Sequence, residues 1–65
     1  MINYPAIAAL CRGLSSIADV APGITAEPRP GGGLLLASRR WRMVLSPDET
    51  TPARVAAILR SRVYV

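Results

Sequence analysis

Three arginines surround the only tryptophan of this chain. Arg39, Arg40 and Arg42 flank Trp41 in the run RRWR. Guanidinium groups grip phosphate or carboxylate through paired N–H donors. An aromatic ring among them adds a surface on which a base can stack. The run is therefore a candidate nucleic-acid grip, and also a candidate grip on an acidic protein surface. Strand alternation divides it, placing Arg40 and Arg42 on one face and Arg39 and Trp41 on the other. A Trp41 turned into the core does not stack on a base. Arg54, Arg60 and Arg62 extend the candidate nucleic-acid set, but no pattern in the sequence joins them to the first cluster.

The residues that serve most catalysis are absent or occupied elsewhere. The chain has no histidine, the usual general base and metal ligand. Cys11, the single cysteine, falls on the apolar stripe of a predicted helix and reads as a buried structural thiol. Asp48 and Glu49 sit in a helix-start signature, and Asp19 and Glu27 are isolated. No metal site follows from acids so few and so dispersed. Gly31, Gly32 and Gly33 are not a phosphate loop, because no Lys-Ser/Thr follows them and the next element reads as a strand. No enzyme, cofactor or small-molecule substrate is expected.

The totals set the scale. The chain has 65 residues, a net charge of +4 and 51% hydrophobic residues. That apolar fraction argues against disorder. The length fits one small domain, residues 1–65, which buries only about 60% of its unfolded surface and is marginal alone. One cysteine cannot staple it internally, and with no signal peptide evident the expected setting is cytoplasmic. No apolar run approaches the roughly 20 residues that span a bilayer. All eight basic residues are arginine, which a GC-rich coding bias explains as readily as selection for bidentate donors.

The elements that would position these side chains can be read in order. Ile7, Leu10, Cys11, Leu14, Ile17, Ala18 and Ala21 recur at helical spacing, which predicts a helix over 5–20 with Asn3 or Tyr4 as its cap. Gly13 costs that helix about 1 kcal/mol, and Pro22 and Gly23 end it. Residues 24–29 predict a strand, and Pro28 and Pro30 assign it to a sheet edge. Residues 34–38 predict a continuously apolar central strand. Residues 41–46 predict a third strand, with Trp41, Met43 and Leu45 on one face and Arg42 and Val44 on the other. Ser46, Pro47 and Glu49 match a capping box, and Thr51-Pro52 is a second helix start. These signals predict a single turn over 47–50 and a helix over 52–62, with Val55, Ile58 and Leu59 inward. Residues 63–65 predict a tail or a fourth, edge strand.

The expected fold is α+β, in the order α-β-β-β-α: a three-stranded antiparallel meander with two helices on one face. Leu35 and Val44 then stand on a face that no predicted element covers, with Arg40 and Arg42 at its rim. An uncovered apolar patch rimmed by charge marks an interaction surface. The expected function is stoichiometric binding of a partner protein, self or other, through Leu35, Arg40, Arg42 and Val44. A homodimer is its simplest form. A small phage or mobile-element inhibitor, such as an anti-CRISPR or another anti-defence protein, is its most specific form, by analogy of size. The alternative is an Arg-rich nucleic-acid-binding protein using Arg39, Arg40, Arg42, Arg54, Arg60 and Arg62.

Overall fold

A computed structural model describes residues 1–63 of the chain. Tyr64 and Val65, the end of the predicted tail or fourth strand, lie outside the described residues. The first helix, α1, spans Tyr4–Cys11 and not 5–20. The Asn3 side chain caps it by accepting from the Ala6 N–H at 3.2 Å. Its end is a Schellman motif. Gly13 N–H donates to Leu10 C=O at 3.1 Å and Leu14 N–H donates to Ala9 C=O at 2.8 Å. Gly13 adopts φ +74, the left-handed conformation such a stop requires. The glycine is thus the C′ residue and not an interior cost. Leu14 and Ile17, which the helical spacing placed inward, are 73% and 61% exposed.

The second half of the predicted helix is a strand. β1 (Ala18–Ala21) runs antiparallel to β2 (Ile24–Pro28), with Ala21 paired to Ile24. Pro22-Gly23 joins them as a two-residue hairpin turn, using proline and glycine as turn formers and not as helix terminators. β3 (Leu34–Ala37) and β4 (Arg42–Leu45) complete a four-stranded antiparallel meander, in place of the expected three strands, in the order β1-β2-β3-β4. β2 is therefore internal. It tolerates Pro28 because β1 pairs only as far as Ala26, leaving Pro28 without a neighbour on that side.

After β4, Pro47–Glu49 form a single 3-10 turn, and α2 (Pro52–Val63) follows. Thr51 starts α2, its hydroxyl accepting from the Arg54 N–H at 3.3 Å. Both helices contribute to one core against one face of the sheet. Ile7 and Leu10 of α1 and Val55 and Leu59 of α2 join Val20, Ala26, Leu34, Leu36 and Leu45 there. The two helices are also tied directly, by Arg60 of α2 donating to the Tyr4 hydroxyl of α1 at 3.0 Å. No helix among the described residues is long and apolar enough to cross a membrane.

Candidate functional site

Alternation sends every second residue of the sheet away from the helices. The strand register aligns those residues in two rows. One row is Glu27, Leu35 and Val44; the other is Asp19, Thr25, Ala37 and Arg42. Leu35 and Ala37 are half-buried by their neighbours, and Val44 is 60% exposed. The helix-free face thus has an apolar centre, acids on the β1–β2 side and Arg42 on the β4 side.

The two edges of the sheet differ. The β1 edge is bulged between Asp19 and Ala21, and its Val20 C=O accepts from Asn3 N–H at 2.8 Å. Both features blunt an edge against pairing. Among the described residues, β4 pairs with β3 alone. Ser38 N–H donates to Trp41 C=O at 2.9 Å, which sets the ladder phase. Pairs 36–43 and 34–45 then share the inward bonds, and the N–H and C=O groups of Arg42 and Val44 point outward. The same two residues therefore present side chains to the open face and backbone groups to the open edge.

The arginines of RRWR separate differently from the strand-alternation expectation. β4 begins only at Arg42, so alternation does not reach Arg39 and Arg40. Both lie in the β3–β4 turn, which Ser38 organises. Its hydroxyl accepts from the backbone N–H groups of Arg40 and Trp41, each at 3.2 Å. Arg40 lines a cleft together with Arg39, Trp41 and Arg62 at the end of the sheet, beside the Pro22-Gly23 turn, and Arg42 is not among its lining residues. Trp41 is half-buried and packs against the core. The Arg62 guanidinium lies 5.1 Å from the indole centroid. α2 thereby brings its basic last turn to the hairpin, a convergence no local sequence signal contained. A neighbouring cleft repeats Arg40, Trp41 and Arg62 and adds Ser61, and a further one places Arg54 beside Arg62.

The other two arginines of the expected nucleic-acid set have local partners. Arg60 bonds Tyr4 and also lies 5.9 Å from that ring's centroid. Arg54 approaches Glu49 at 3.8 Å, with both side chains exposed, an arrangement that contributes little to stability. Cys11 packs against the core from the last turn of α1, and burial pushes its thiol above the usual range. It therefore stays protonated at neutral pH and is a poor nucleophile. Ser38 reads from the sequence as a turn residue, but its bonding to the Arg40 and Trp41 N–H groups and the place of Ala37 on the open face do not. No protein-family model, curated protein or solved structure matches the chain.

Proposed function

We propose that this protein is a non-enzymatic binding module that docks a partner protein stoichiometrically through the β4 edge and the adjoining helix-free face. One observation carries this. Arg42 and Val44 turn their backbone groups to the one edge left unblunted among the described residues, and their side chains to the apolar face beside it. An extended segment added there gains ladder hydrogen bonds and side-chain contacts together.

A second copy of the chain is the simplest occupant. Antiparallel pairing of β4 with its own copy about Met43 sets Arg42 opposite Val44 of the copy, so no like charges oppose directly. An inhibitor of phage or mobile-element origin, such as an anti-CRISPR, would use the same edge on a different protein. The test compares the wild type with Val44→Glu by sedimentation and by capture of partners from lysate. The variant keeps the circular dichroism of the wild type, because Val44 is 60% exposed. It loses self-association or partner capture. Identical sedimentation and identical captured proteins for the two would refute the assignment.

A further inference from the structure

Three arginines from two elements distant in sequence line one cleft with Trp41, at the end of the sheet that carries the β1–β2 and β3–β4 turns. Arg39 and Arg40 are set by the Ser38 turn, and Arg62 by the last turn of α2. Among the described residues, no carboxylate lines the two clefts they form. Like charges lining one cleft raise the local potential and concentrate anions. The indole 5.1 Å from the Arg62 guanidinium also restrains that side chain, which reduces the ordering cost when its N–H groups bind.

We infer that this cluster is a binding site for the phosphate backbone of a nucleic acid. The ligand is an extended polyanion because the charge continues along α2. Arg54 and Arg62 line a common cleft and stand about 12 Å apart along the helix axis at 1.5 Å per residue. That length matches three or four base-pair steps of a duplex, at about 3.4 Å of axis each. Arg54 is the weaker end, because Glu49 lies beside it. The contact is to phosphates and not to bases. Arg62 covers the indole and the core packs against it, so the ring offers no free platform for stacking. Recognition is accordingly indifferent to sequence.

Trp41 is the only tryptophan, so its emission reports directly on this site. The experiment titrates the full chain with a mixed-sequence DNA duplex, with a duplex of scrambled sequence, and with polyglutamate. Three full phosphate contacts, from Arg39, Arg40 and Arg62 with Arg54 offset by Glu49, give a log–log salt slope near −2.7, so affinity falls roughly 40-fold between 50 and 200 mM salt. Arg62→Ala weakens binding and lowers the slope by about 1, and the double variant Arg39→Ala/Arg40→Ala lowers it by about 2. Arg29→Ala, at the opposite end of the sheet, removes the same charge as Arg62→Ala and leaves both affinity and slope unchanged. The scrambled duplex binds equally. The site is overturned by absence of DNA binding at 50 mM salt, by an equal effect of Arg29→Ala, by a preference for one sequence, or by polyglutamate binding as tightly as DNA. The last result would identify an acidic protein surface as the ligand.

Discussion

Glu49 and Ser46 illustrate how much one residue pair decides locally. The Glu49 carboxylate accepts from the Ser46 N–H at 3.3 Å and from the Ser46 hydroxyl at 3.0 Å. Those two bonds, the backbone one first, hold the carboxyl below its usual range, with Arg54 adding a smaller effect. Folded Glu49 therefore takes up its proton at lower pH than in the unfolded chain, where the value is about 4.3. Between the two values the unfolded state binds more protons, so this stabilisation is present above about pH 4.3 and is lost as pH falls through the folded value. Urea unfolding of wild type and Glu49→Gln checks it. The variant is less stable at neutral pH, and the gap narrows on acidification; a gap independent of pH would contradict the assignment. This pair was legible in the sequence, because Ser and Glu three residues apart before a helix is a local pattern. The turn position of Arg39 and Arg40 was legible too, because the predicted apolar strands stop at 38 and resume at 41. The arrival of Arg62 at the same hairpin was not, because it depends on how α2 packs and not on any local pattern.

The elements repeat that contrast. β2, β3, β4 and α2 follow from short-range signals: prolines at a strand end, a continuous apolar run, alternation, and Thr51-Pro52. β1 does not, because Ile17, Ala18 and Ala21 continue the helical spacing of α1 and satisfy either period. Tertiary pairing resolves the ambiguity. As a strand, the segment gives Val20 a fully buried site and β2 a second partner. The local device that permits this is Gly13. Its φ of +74 costs an L-residue roughly 1–2 kcal/mol. Gly13→Ala is therefore expected to destabilise the fold by about 1 kcal/mol, although alanine is the better helix former. Urea midpoints at constant m-value measure this. A stabilised variant would mean that the stop is imposed by the strand pairing and not by the glycine.

At the scale of the whole molecule, size and compactness point the same way. The radius of gyration is 10.3 Å, close to the ~10.7 Å expected of a globular chain of this length. Val44 thus stands outside a core that is already closed, and not because the chain is loosely packed. A domain this small has little stability in reserve, so an interface that covers the β4 edge contributes to folding as well as to recognition. Stability then depends on protein concentration. If two copies fold together through β4, each tenfold rise in concentration raises the thermal midpoint by about 5 °C, from RT ln 10 divided by the unfolding entropy of the pair. Val44→Glu abolishes that dependence and melts at the midpoint of the dilute wild type. A wild-type midpoint independent of concentration would rule out the second copy as the occupant, and would direct the β4 edge toward a different protein.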